Sequence, residues 1–206
     1  MGTINPSGKL PVSFPTSIDE TWLGNPRLNP AQYPGTVRGN TWQEADYTEE
    51  LEVGYRWYDA EQQRATTAAG NGGAVGAAAA AADVPKPLFP FGFGMSFTTF
   101  KYSALKASAT TSTFAITNTG KVAGAEIAQL YVAFPTSAGL PPKQLKGFER
   151  VDLNPGQTVV VTVTLGESDL KTWSVGKGAW ESVHGVFTVE VGASAADILL
   201  KATFTA

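Results

Sequence analysis

Apolar and polar residues alternate in short runs through the second half of the chain, and a period of two predicts strands. Thr158 to Leu165 is the clearest run: Val159, Val161, Val163 and Leu165 point one way, and Thr158, Val160, Thr162 and Thr164 the other. Glu126 to Phe134 places Ala128, Leu130, Val132 and Phe134 on one face. Val186 to Gly192 turns Phe187, Val189 and Val191 inward, and Ile198 to Thr205 turns Ile198, Leu200, Ala202 and Phe204 inward. Phe114 and Ile116 share a face in a run closed by Asn118-Thr119-Gly120, while Leu145 to Leu153 carries Phe148 and Val151 and stops at Asn154-Pro155-Gly156.

With Phe100 to Lys106 as the first, these runs make about seven strands separated by turn residues. That number predicts a mainly β fold, an immunoglobulin-like or fibronectin type III-like β-sandwich from about Phe97 to Ala206. No long segment of period 3.6 competes with it. Trp173 and Trp180 fall between the fifth and sixth of the runs and read as core or edge-covering residues.

The upstream half has a different character. Gly2 to Asp59 is rich in Pro, Gly and Asn and reads as extended pieces joined by irregular loops. Within it Leu51, Val53, Tyr55 and Trp57 alternate with Glu52, Gly54 and Arg56, which predicts one strand. Arg64 to Ala82 is almost entirely Ala, Gly and Thr. Ala77 to Ala82 has the propensity for a turn or two of helix, but six alanines offer no large apolar face to dock. The stretch 62–86 therefore reads as a mobile surface insertion rather than a functional lid.

Composition narrows the chemistry. The 206 residues include no Cys and one His, which removes disulfides, thiolate zinc sites, cysteine nucleophiles and His-rich metal clusters. A (β/α)8 barrel alone takes roughly 250 residues, more than this chain has. A formal net charge of −3 gives no general attraction to phosphate backbones, so no nucleic-acid partner is expected. The longest apolar-leaning run, Ala74 to Ala82, is shorter than the ~20 residues of a membrane span, so no membrane partner is expected either. The first residues lead straight into the Asn5-Pro6-Ser7-Gly8 turn signal without the pattern of a signal peptide.

Several ordered segments resemble the C-terminal part of glycoside hydrolase family 3, the family of β-glucosidases, β-xylosidases and N-acetylglucosaminidases. Asn5-Pro6-Ser7-Gly8-Lys9-Leu10-Pro11-Val12-Ser13-Phe14-Pro15 resembles the segment that closes the family's α/β sandwich domain. Tyr47 to Asp59 resembles its Tyr-x-Glu-Gly-(Ile/Leu)-x-Val-Gly-Tyr-Arg motif, with Glu50 where the motif usually has Gly. Pro87 to Thr98 resembles its Phe-Pro-Phe-Gly-(Phe/His)-Gly-Leu-Ser-Tyr-Thr run. Downstream, Asn118-Thr119-Gly120, Gln129-Leu130-Tyr131-Val132, Leu145-Lys146-Gly147-Phe148 and Leu153-Asn154-Pro155-Gly156 are similar to its fibronectin type III-like domain.

The resemblance implies four regions: 1–61 as the tail of an α/β sandwich domain, 62–86 as the insertion, 87–96 as an interdomain clamp, and 97–206 as the fibronectin type III-like domain. The implied parent activity is two-step retaining hydrolysis of terminal β-linked sugars, most often glucose, without a cofactor. Such chemistry needs a nucleophilic carboxylate and an acid/base carboxylate about 5 Å apart. No Asp or Glu of this chain matches either motif, so no catalytic residue carries over. The expected partners are upstream catalytic domains of the same enzyme, in cis or in trans, with a carbohydrate or polymer ligand as the alternative. The compartment stays open, an extracellular or periplasmic parent being compatible with the resemblance.

Side chains with a conceivable role each have a plainer reading. Asp46, Glu49, Glu50, Glu52 and Asp59 form the densest carboxylate group, but on the predicted strand Glu50 and Glu52 share a face with Arg56, an ion-paired surface. His184, with Glu181 and Ser182 beside it, reads as a turn histidine. Trp22 and Trp42, in irregular segments, are candidate sugar contacts, whereas Trp57 falls on a packed face. Lys143, Lys146 and Arg150 form a modest basic group, either solvated or in contact with the enzyme body. Phe89, Phe91, Phe93 and Phe97 supply an apolar clamp to the α/β domain, interleaved with Gly92 and Gly94. Tyr47, Tyr55 and Arg56 join them as interdomain contacts implied by the resemblance.

Overall fold

The computed structural model describes residues 4–17, 36–38, 42–45, 49–71 and 84–206. The chain divides into one unit of Val12–Pro90 and a second of Met1–Pro11 with Phe91–Ala206. Asp46, Tyr47, Trp22 and the Ala77 to Ala82 run lie outside the described residues.

In the Val12–Pro90 unit, strands β1 (Thr36–Arg38) and β2 (Trp42–Glu44) pair antiparallel, with Val37 opposite Gln43. Helix α1 spans Tyr55–Asn71. The strand expected over Leu51 to Trp57 is therefore absent: Leu51 to Gly54 is a turn and Tyr55 opens a helix. Four alternating apolar positions were too few to fix a period. Beyond them burial recurs at Trp57 and Ala60, three apart, as one helical face requires. Trp57 is packed as expected, but on a helix. Residues 62–71, assigned from sequence to a surface insertion, continue this helix, where Thr66 and Thr67 donate their hydroxyls to the carbonyls of Gln62 and Gln63. Phe14 and Phe89 form an antiparallel bridge, each amide donating to the other's carbonyl, with their rings edge to face.

The second unit is the sandwich. Its strands are β3 (Phe100–Ala107), β4 (Thr111–Asn118), β5 (Gly124–Ala133), β6 (Gln144–Leu153), β7 (Thr158–Thr164), β10 (Val186–Gly192) and β11 (Ile198–Thr205). One sheet has the order β11-β10-β5-β6 and the other β3-β4-β7. Every pairing is antiparallel. All seven strands lie where the alternation puts them, within two residues at either end.

The core follows from the same alternation. Phe114 and Ile116 of β4 and Val161 and Val163 of β7 face Ala128, Leu130 and Val132 of β5 and Phe187, Val189 and Val191 of β10, all buried. Phe187 stacks on Phe204 at 5.2 Å and meets Phe134 edge-on at 5.3 Å. Each such ring, fully buried, contributes ~1.5 to 3 kcal/mol. Phe148 and Val160, on the outward positions of β6 and β7, stay exposed.

Strands β8 (Lys171–Ser174) and β9 (Ala179–Ser182) form a separate hairpin that pairs Trp173 with Trp180. These two residues are not in the core. They are 50% and 64% exposed and pack edge to face on one another at 5.8 Å.

Candidate functional site

The densest polar arrangement of the sandwich unit is a seam that binds the extended segment 4–11 to the loop 91–98 and to the strands beneath. Leu10 N–H donates to the Phe93 carbonyl at 2.9 Å and Gly92 N–H to the Leu10 carbonyl at 2.8 Å, a short two-stranded pairing. Asn5 Oδ1 accepts from Phe97 N–H at 2.7 Å and from Ser96 Oγ at 3.1 Å. Phe91 contributes its carbonyl to Ala195 N–H at 2.9 Å. Two glycines are required here by close approach: a Cβ at Gly94 would sit 2.7 Å from the Gly8 carbonyl, and one at Gly92 would overlap the Gln129 amide.

Beneath the segment lie three buried polar residues of β5. Tyr131 donates its hydroxyl to Gln129 Oε1 at 2.6 Å, and Gln129 Nε2 donates to the carbonyls of Gly92 at 3.0 Å and Ala193 at 2.8 Å. Lys9 Nζ reaches the same Ala193 carbonyl at 3.1 Å and stands 3.0 Å from Glu126 Oε1. The Lys9–Glu126 contact is ionic rather than an aligned hydrogen bond, and both side chains are withdrawn from solvent, at 15% and 8% exposure. Burial, and then the neighbouring Glu126 carboxylate, push the Tyr102 phenol well above its ordinary range. The seam continues to Asn118, which is fully buried at the end of β4.

This arrangement is directed at backbone, since Asn5, Lys9 and Gln129 each bond a main-chain group. Among the described residues no group of three His, Asp or Glu is placed to hold a metal. Other carboxylates are ion-paired or bonded to backbone: Glu52 and Glu61 meet Arg64, Asp152 meets Arg150, Glu190 meets Lys201, Glu167 meets Lys171 and Glu181 meets Lys177, while Asp169 accepts from Gly166 N–H at 2.8 Å. Glu52 thus pairs with Arg64 on α1 and not with Arg56, because the helix that replaces the expected strand carries Arg64 back over the turn. Glu50 sits at φ 51, in the left-handed region, which explains why the resembling motif has Gly there.

Other candidates separate. Lys143 is buried over the Tyr131 ring at 5.8 Å and Lys146 lies over the Phe134 ring at 5.5 Å, so these two are not simply solvated. His184 is exposed in the connection between β9 and β10. Trp42 is exposed on β2, and Tyr55 and Arg56 are half-buried at the start of α1. Phe91 and Phe93 are half-buried within the seam, whereas Phe97 is 63% exposed. Phe89 belongs to the bridge with Phe14 in the other unit. Sequence reasoning missed Lys9, Glu126 and Gln129 as a group. One signal was available: Glu126 shares parity with Ala128, Leu130 and Val132, a charge on an inward-facing row.

Comparison with known proteins places this architecture. Residues 126–195 match the family model described as Fn3-like, fibronectin type III-like domain. A probable beta-glucosidase K of Emericella nidulans is 36% identical over 203 residues, covering 97% of this chain and 20% of the relative. The crystal structure of DesR, a beta-glucosidase from Streptomyces venezuelae in complex with D-glucose, superposes with a TM-score of 0.79 at 31% identity, covering 98% of this chain and 23% of that one. The GH3 beta-glucosidase of Bifidobacterium adolescentis gives a TM-score of 0.76 at 31% identity, with coverage of 99% and 26%. The chain therefore spans between a fifth and about a quarter of the length of these proteins.

Proposed function

We propose that this chain, which belongs to glycoside hydrolase family 3 and corresponds to the C-terminal part of its β-glucosidases, is an accessory and stabilising region of a larger retaining glycosidase and is not catalytic alone. The observation that carries this reading is coverage: nearly all of this chain aligns with only 20% of a full-length relative. The carboxylates are in keeping with it, since Glu52, Glu61, Asp152, Glu167, Glu181 and Glu190 are each paired with a cation, whereas a retaining pair must flank a scissile bond about 5 Å apart. Hydrolysis of terminal β-linked glucose belongs, on this reading, to the assembled enzyme.

The surface offered to the rest of that enzyme is the exposed apolar edge of the seam. Ile4, Met95 and Phe97 all stand in solvent, and Asn5 ties the first of them to the last through its bond to Phe97 N–H. Exposed apolar groups clustered in this way mark contact surfaces. The half-buried Tyr55 and Arg56 are assigned the same role. A carbohydrate-binding module would instead need a flat aromatic row. The exposed Trp173–Trp180 pair stands at 75° between ring planes, which gives a sugar ring no continuous stacking surface.

The test is an aryl-β-glucoside assay on the chain alone and on the chain joined to family catalytic domains. Turnover only in the joined form is expected, with lower thermal stability when Phe97→Asp is introduced there. Turnover by the chain alone would refute the reading, and saturable binding of soluble glucans by the chain alone would favour the carbohydrate-binding alternative. Glu49→Gln with Glu50→Gln is expected to leave the joined enzyme's turnover largely intact.

A further inference from the structure

We propose that residues 4–11 are a peptide ligand of the sandwich, held by its own recognition site strongly enough to keep the two pieces of a cut chain together. The interaction lies wholly within the Met1–Pro11 and Phe91–Ala206 unit, although the intervening Val12–Pro90 unit separates its two parts in sequence. The Phe14–Phe89 bridge draws the two ends of that intervening unit together, but it makes none of the contacts of residues 4–10. The specific pose of the segment must come from the contacts it makes.

Those contacts form a built site. Two backbone hydrogen bonds fix Leu10 against Phe93 and Gly92, and the Asn5 carboxamide reads the backbone at Phe97. Lys9 reads two groups at once, the Ala193 carbonyl and the Glu126 carboxylate. Glu126 is buried and stands beside the Tyr102 phenol, so removing Lys9 would leave a carboxylate desolvated without its cation. Gly94 admits the Gly8 backbone and Gly124 admits the Asn5 side chain, each at a distance a Cβ would forbid. Shape, hydrogen bonding and charge therefore select one extended segment with Asn and Lys four residues apart.

The experiment uses the full chain with a site-specific protease sequence inserted after Gly76, cut quantitatively and then analysed by size-exclusion chromatography with a fluorophore on the N-terminal piece. The pieces are expected to co-elute at micromolar concentration. Lys9→Met is expected to weaken association at least tenfold, whereas Lys9→Arg retains it. The Phe14–Phe89 bridge also spans the cut, so the Lys9 comparison is the deciding one. Separation of the wild-type pieces at micromolar concentration, or equal association with Lys9→Met, overturns the proposal. Should the uncut Lys9→Met chain fail to fold, hydrogen exchange in the uncut wild-type chain decides: the Leu10 and Gly92 amides are expected to be protected at least a hundredfold, and exchange at free-peptide rates overturns the assignment.

Discussion

Thr98 Oγ1 donates to Asn118 Oδ1 at 2.6 Å inside the protein, and the same carboxamide closes three further bonds. Asn118 Nδ2 donates to the carbonyls of Val122 and Leu153, each at 2.9 Å, and Oδ1 also accepts from Gly120 N–H at 3.0 Å. A single side chain thus ties the loop before β3, the turn after β4 and the end of β6.

Asn118→Ala removes this junction and leaves the buried Thr98 hydroxyl and Leu153 carbonyl without it. An unsatisfied buried group costs about 1 to 3 kcal/mol, so the expected loss is about 3 kcal/mol. Urea denaturation of the chain measures it, and a loss below about 1 kcal/mol would contradict the assignment.

Glu50→Gly is expected to stabilise. Glu50 is exposed and holds φ 51, a conformation that costs an L-residue about 1 to 2 kcal/mol and glycine almost nothing. Glycine's greater freedom in the unfolded chain offsets part of this, leaving a gain of about 0.5 kcal/mol in thermal or urea unfolding. A clear loss would mean that the Glu50 side chain holds the turn.

Tyr102 makes stability fall at high pH. Its folded pKa is raised, first by burial and then by Glu126, so the folded state keeps a proton that the unfolded chain releases near pH 10. Its stabilising effect is fully present below pH 10 and declines as pH rises above it. Urea midpoints from pH 8 to 11 should drop beyond that of Tyr102→Phe, which lacks the ionisable group. Parallel curves for the two proteins would count against a raised phenol.

Ser112 points a hydroxyl into the sandwich core of β4 with no protein partner among the described residues. Ser112→Ala keeps the shape and removes the desolvated group, which is expected to raise stability by about 1 kcal/mol. Calorimetry reads this as a higher Tm, and a decrease would reveal an unseen bond.

The sandwich was legible because alternation and inward burial are one property read at two levels. Val161 and Val163 are buried and Val160 is exposed because a pleated strand sends neighbours to opposite faces. The same rule failed over Leu51 to Trp57, where four alternating positions fit a strand and a turn leading into a helix equally well. The Trp173–Trp180 hairpin was illegible for a different reason: its strands, Lys171–Ser174 and Ala179–Ser182, are too short to show a period.

By itself the sequence determined the seven sandwich strands, their inward rows and the family resemblance carried by ordered motifs. Tertiary structure alone decided that Lys9 would face Glu126, that Arg64 and not Arg56 would take Glu52, and that Asn118 would be a buried junction rather than a turn residue. Local pattern dictates which face a residue presents, since that depends on backbone period. Which group lies opposite depends on chain crossings between distant segments, and those positions are fixed only when the sheets pack.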